Sequence, residues 1–122
     1  MIILDRKYPI PIHKQIILQI KKEVILGRLK PGDKLPPVRE MAARLKVNVN
    51  TVLRAFEDLT REGILESQHG KGFFVSAQNM QQELGEVTEH LKKVVSECKK
   101  HGIDKYLGMT LLLEVWKDES DQ

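Results

Sequence analysis

Between Pro11 and Leu26, branched apolar residues return every fourth position, at Ile12, Ile16, Ile20 and Val24, and Ile17 and Ile25 widen the stripe. Lys14, Lys21, Lys22 and Glu23 fill much of the remaining face, so the segment predicts an amphipathic helix that stops at Gly27. The run Leu29-Lys30-Pro31-Gly32-Asp33 has turn chemistry, since Pro fixes φ ahead of a Gly that is free to take positive φ, and a loop continues to Pro36. Pro37 fits the first turn of a second, short helix, whose apolar face is Val38, Met41, Ala42 and Leu45. Lys46 to Asn48 separate it from a third helix. That helix begins near Asn48 or Val49 with an Asn available as its cap, buries Val52, Phe56 and Leu59, and ends at Gly63.

After Gly63 the pattern changes to Ile64-Leu65-Glu66-Ser67, a glycine-bearing turn Gln68-His69-Gly70-Lys71-Gly72, and Phe73-Phe74-Val75-Ser76. This predicts a strand, a turn and a strand. Two helices meeting across a tight turn have the spacing of a helix-turn-helix, whose second helix can lie in a major groove about 12 Å wide. A hairpin placed directly after it forms a wing, with His and Lys at a tip suited to a minor groove or flanking phosphates. From Gln78 the chain turns helical again, and Leu84, Val87, Leu91, Val94 and Cys98 step by three and four, a short coiled-coil seam. His101-Gly102 breaks that helix. A further one is expected from about Asp104 to Lys117, carrying Tyr106, Leu107, Leu111, Leu112, Leu113, Val115 and Trp116 on more than one side. Forty-six residues in two helices are too few to hold a core alone, so they call for a partner surface, most simply a second copy.

The expected fold class is therefore α+β, mainly α: a winged helix-turn-helix domain over residues 1–76, then an antiparallel two-helix arm over residues 77–122. Dimer contacts are expected from Leu84, Val87, Leu91, Val94 and Cys98 on one helix of the arm and from Leu111, Leu112, Val115 and Trp116 on the other.

The net charge of +3 hides an asymmetry that sharpens this division. Residues 1–76 carry 14 Lys/Arg against 8 Asp/Glu, leaving +6, while residues 77–122 carry 6 against 9, leaving −3. A basic segment followed by an acidic one suggests that the first meets a polyanion and the second does something else. Aromatic residues are only 5% of the chain, which argues against a sheet that stacks single-stranded RNA bases. Cys98 is the single cysteine, and with His13, His69, His90 and His101 scattered it offers neither an internal disulfide nor zinc spacing. No nucleophile, carboxylate pair or metal cluster suggests an enzyme, and Gly70-Lys71-Gly72 lacks the spacing of a phosphate-binding loop. The apolar run Met1-Ile2-Ile3-Leu4 meets Asp5, Arg6 and Lys7 at once, and no stretch approaches a membrane span, so a cytoplasmic location is expected.

The run GRLKPGDKLPPVREMAARLKVNVNTVLRAFEDLTREGILESQHGKGFFV resembles the DNA-binding domain of GntR-family bacterial transcriptional regulators along its whole length. The features that carry the resemblance are the PGDKLP turn, the REMA segment, NTV at the start of the third helix, the L-x-x-E-G at its close and the G-x-G-x-F-V wing. With the first helix it covers roughly residues 8–76. The short two-helix tail and the VNVNTV sequence look like the YtrA-like subfamily, in which such tails act as dimerisation arms. The resemblance implies a homodimeric repressor that binds palindromic double-stranded DNA, without cofactor or metal.

It also assigns roles by position. Arg39 would read a guanine edge or hold a phosphate. Asn48, Asn50 and Thr51 would contact bases and backbone, Arg54 would stand beside them or remain an ordinary solvated charge, and His69, Gly70 and Lys71 would form the wing tip. Three positions depart from the family pattern: Pro37 replaces a capping Ser, Val49 replaces a frequent Arg, and Phe73 replaces a Thr and would pack on the tail or lie exposed. The alternative reading is a winged-helix docking module that binds an acidic protein and has no DNA sequence preference.

Overall fold

A computed structural model describes residues 2–120. Its elements are α1 (Ile12–Ile25), α2 (Val38–Leu45), α3 (Val49–Arg61), β1 (Leu65–Gln68), β2 (Gly72–Val75), α4 (Met80–Lys100) and α5 (Lys105–Ser120). The fold is mainly helical, with a two-stranded antiparallel wing directly after the helix-turn-helix and two helices at the C-terminal end. The chain divides into two units, residues 1–85 and 86–122.

The first unit is built around α3, which packs against α1, α2 and β1. Val52, Ala55, Phe56 and Leu59 recur at helical spacing and are fully buried, so the stripe seen in the sequence is the centre of the core. Ile16, Ile20 and Val24 of α1, Met41 and Ala42 of α2, and Leu35, Leu65 and Val75 close around it. Phe73, expected to pack on the tail or lie exposed, is not exposed. It is half-buried, with its ring edge-on to Phe56 at 5.1 Å and 72°, because its place on β2 faces the buried side of α3. An aromatic ring here fastens the wing to the helix before it.

Backbone hydrogen bonds explain where elements begin. The chain leaves α3 by closing Ile64 N–H onto Leu59 O at 2.9 Å, and the Ile64 carbonyl then accepts from Ser76 and Ala77. Ile64 thus serves the corner, and β1 starts one residue later than its apolar pattern suggested. Pro37 lies just outside α2 as its N-cap rather than in its first turn, and its carbonyl accepts the first helical bond from Met41 at 2.9 Å. The segment 32–35 is more than a loop. Lys34 bridges Phe74, Leu35 N–H donates to Phe73 O at 2.9 Å, and Val75 N–H donates to Asp33 O at 2.8 Å, so this stretch covers the outer edge of β2.

The N-terminal segment is fastened by a residue the apolar pattern did not mark. Gln15 is buried in α1; its amide donates to the Asp5 and Ile10 carbonyls at 2.8 and 2.9 Å, and its oxygen accepts from Asp5 N–H at 2.9 Å. Its side-chain oxygen and nitrogen are thus both engaged, as burial demands. At the far end of the unit, Ala77 and Met80 pack on the core and Gln81 lies over Gly27, where φ of +77° excludes most side chains. The opening turn of α4 therefore packs with the first compact unit, which extends to Gly85.

The second unit contains the rest of α4 and α5, joined through Gly102 at φ +72°. Asp104 starts α5 by accepting from Leu107 N–H at 2.9 Å. No side chain of α4 is fully buried. The apolar residues of both helices face solvent, including Leu91 at 46%, Val94 at 56%, Leu112 at 46% and Trp116 at 70% exposure. A groove of about 420 Å³ between the helices is lined by Leu91, Val94, Val95, Cys98, Met109 and Leu112.

Because Phe56 fills the middle of the core, Phe56→Ala should lower unfolding free energy by about 3–5 kcal/mol, a large part of a small domain's total. Urea denaturation would show this as a lower midpoint at unchanged slope. A midpoint within error of the parent would remove Phe56 from its central place.

Candidate nucleic-acid interface

The turn between α2 and α3 sets how the third helix is presented. Lys46, the C-cap of α2, sits in the left-handed region at φ 57° and ψ 48°, with its N–H on Ala43 O and Val47 N–H on Ala42 O. Two residues on, Asn48 caps α3: its side-chain oxygen accepts from Asn50 N–H at 2.7 Å, and its carbonyl accepts from Thr51 N–H at 3.0 Å. The cap occupies the oxygen of Asn48 and leaves its amide nitrogen as an outward donor.

From this start, the helical period places Asn50 and Arg54 directly opposite the buried stripe, and both are exposed. Thr51 falls on the flank and is half-buried. Arg39 is exposed on the first turn of α2. His69, Gly70 and Lys71 are exposed at the end of the hairpin, where Lys71 N–H closes the turn on Gln68 O at 2.8 Å and Gly70 takes φ +73°. Val49, which stands where a cation is frequent in the family, is 36% exposed and adds apolar surface at the mouth of the helix.

Ion pairing separates the cations of the first unit into two sets. Lys21 pairs with Glu62 at 2.8 Å, Arg28 and Lys22 with the buried carboxylate of Glu23 at 3.1 and 3.4 Å, and Arg44 with Glu40 at 2.9 Å. Arg61 pairs with Asp58. By contrast, Arg39, Arg54 and Lys71 have no carboxylate partner among the described residues, and neither do Lys14, Lys34 and Lys46. The sequence expectation did not include these last three. Lys34 could not have been found from periodicity, because its place follows from the bridge to β2, which lays its side chain across Gly72 of the wing. Unneutralised charge is thus present at the start of α2, on the exposed face of α3 and along the wing, and Lys7 and Lys30 are unpaired as well among the described residues. The polarised N-terminus of α3 adds to it.

His13 on α1 belongs to the same neighbourhood but not to the same charge. Burial, with the Arg54 and Lys14 cations nearby, holds its imidazole below the ordinary histidine value, so at neutral pH it offers hydrogen bonds rather than positive charge.

This arrangement defines a class: a winged helix-turn-helix DNA-binding transcriptional regulator. Comparison with known proteins makes the class specific. Residues 12–75 match the family described as "Bacterial regulatory proteins, gntR family", and the chain belongs to that family, whose members regulate transcription rather than catalyse reactions. Over 109 residues it is 39% identical to the HTH-type transcriptional repressor YtrA of Bacillus subtilis (strain 168), covering 85% of this chain and 83% of that protein. The structure of YtrA from Sulfolobus acidocaldarius, a GntR-family transcription factor, matches with a TM-score of 0.60 at 36% identity, over 75% of this chain and 97% of that one. The AraR DNA-binding domain in complex with operator ORE1 matches with a TM-score of 0.54 at 28% identity, over 62% of this chain and 93% of that one. No helix among the described residues is long and apolar enough to cross a membrane.

The Asn48 cap gives a direct test of how α3 is started. Asn48→Ala should cost about 1 kcal/mol of stability, while Asn48→Asp keeps the acceptor and most of the stability. Thermal denaturation of both variants reads the difference, and equal melting temperatures would show that the cap contributes nothing.

Proposed function

We propose that this regulator is a homodimeric repressor that lays α3 of each copy into the major groove at one half of a palindromic operator, with each wing alongside, and blocks transcription by occupying a promoter. The observation that carries the reading is the outer face of α3. Asn50 and Arg54 stand there opposite the buried stripe, next to a capped and positively polarised helix start, and the cations around them are not neutralised by the protein's own carboxylates. The operator complex of the AraR domain and the repressor named among the relatives support it.

In this reading Arg39 reads a guanine edge or grips a phosphate with its planar fork. Asn48, Asn50, Thr51 and Arg54 meet bases and backbone, and His69, Gly70 and Lys71 follow the flanking phosphates or the minor groove. Residues 1–76 form the reading head, and residues 77–122 the arm that pairs two copies. The arm's need for a partner rests on its exposed apolar residues, which include Leu84 at 37%, Val87 at 53%, Leu111 at 47% and Val115 at 57% exposure. A second copy suits this surface because a seam with steps of three and four is complementary to itself. Two-fold symmetry of the protein then requires two-fold symmetry of the operator, with half-sites about 34 Å apart or a multiple of it.

Binding to the DNA upstream of the protein's own gene tests the reading. With about eight phosphates neutralised per dimer, affinity should fall with a log-log salt slope near −7. Arg39→Ala should weaken specific binding by about 1–3 kcal/mol, and Lys71→Ala should weaken specific and random duplex equally. A flat salt dependence with no preference for the upstream DNA would overturn the proposal.

Leu91→Glu, which places a charge in the arm's seam, should convert dimers to single chains in sedimentation velocity. A parent protein that sediments as single chains at working concentrations would overturn the dimer.

A further inference from the structure

Arg6 lies outside every reading element, yet it is bonded to the turn that aims α3. Its guanidinium Nη2 donates to the Leu45 and Lys46 carbonyls at 3.2 and 2.8 Å, across 39 and 40 residues of sequence. Leu45 is the last residue of α2 and Lys46 its C-cap, so these carbonyls belong to the end of a helix, where the last carbonyls have no helical donor and carry partial negative charge. Lys46 is also a non-glycine residue in the left-handed region, a conformation that persists when its surroundings over-determine it.

The other end of this link is equally fixed. Asp5, the neighbour of Arg6, has both its backbone N–H and its carbonyl held by the buried side chain of Gln15 on α1. The Asp5 carboxylate accepts from Lys7 N–H at 2.9 Å on the other side of Arg6. Ile2 and Leu4 pack on the core ahead of it. A chain of bonds therefore runs from the interior of α1 through the Asp5 backbone and the Arg6 side chain to the turn, two residues before the Asn48 cap of α3.

We propose that Arg6 is a positioning residue for DNA recognition: it locks the turn between α2 and α3, and thereby the angle at which Asn48, Asn50 and Arg54 meet the groove. This rests on the operator reading above. Contacts to base edges depend on that angle, whereas loose attraction to phosphates does not. The role differs in kind from that of a cation on the interface, because the guanidinium is spent on the protein's own carbonyls.

The test uses the full chain and its Arg6→Ala variant, titrated with the upstream duplex and with random duplex over a range of salt, below the melting temperature of both proteins. Arg6→Ala should lose about tenfold in affinity for the upstream duplex and less than twofold for random duplex, with the salt slope on the upstream duplex unchanged. Without DNA, amide exchange at Lys46 and Val47 should speed up while α1 amides keep their protection. If Arg6→Ala fails to fold, Arg6→Gln, which keeps an amide donor, is read the same way and should show a smaller loss of the same pattern.

Equal losses on both duplexes, with the slope weakened by roughly two for the dimer, would make Arg6 a phosphate contact and overturn the proposal. So would a variant that discriminates as well as the parent or shows unchanged exchange at the turn. A parent with no preference for the upstream duplex would overturn the operator reading and this proposal with it, whereas a discriminating parent with an equally discriminating variant would overturn only the positioning role.

Discussion

The outward surface of the helix-turn-helix depends on how α3 is buried. The helix is gripped from α1, α2 and the first strand of the wing, and Phe56 is the fully buried ring at the centre of that grip. Since a helix presents residues 100° apart around its axis, fixing the stripe of Val52, Ala55, Phe56 and Leu59 against the core also fixes Asn50 and Arg54 on the far side. The wing is set by the same packing, through the edge-on contact between Phe56 and Phe73. Burial of one face thus positions Asn50 and Arg54 without either taking part in it.

Electrostatics then separates the outward surfaces. Carboxylates at Glu23, Glu40, Asp58 and Glu62 neutralise the cations near them, while Arg39, Arg54, Lys34 and Lys71 are left without such partners among the described residues. Exposed ion pairs contribute little to stability, so the unpaired charge costs the fold little and remains available to a polyanion. The arm divides its surface differently. Most of its large apolar positions beyond Gly85 are exposed to solvent.

What could be read in the sequence was whatever repeats at short range. The stripe of α3, the Asn48 cap, the glycine that ends the helix and the glycine-bearing wing turn each depend on neighbours within a few positions, and each appears close to where the pattern put it. What could not be read depends on groups far apart in sequence. Gln15 holding Asp5, Arg6 reaching Leu45, and Lys34 bridging Phe74 are bonds to backbone atoms, which leave no periodic trace. Phe73 looked like a misfit beside the wing glycines because its partner ring lies 17 positions earlier, on the helix it faces. The start of α4 escaped for a similar reason: Met80 and Gln81 look like ordinary helix, and only their packing on the core and over Gly27 ties them to the first unit.

In the proposed function, two identical heads, each aimed by its buried α3 and joined through the arms, read DNA as a symmetric pair. Repeated selection of bound fragments from a pool of random duplex, followed by sequencing, tests it most directly. A symmetric pair of heads should enrich an inverted repeat whose half-sites are centred about one helical turn, or a whole multiple of it, apart. Enrichment of a single unrepeated site, or no enrichment over the starting pool, would contradict it.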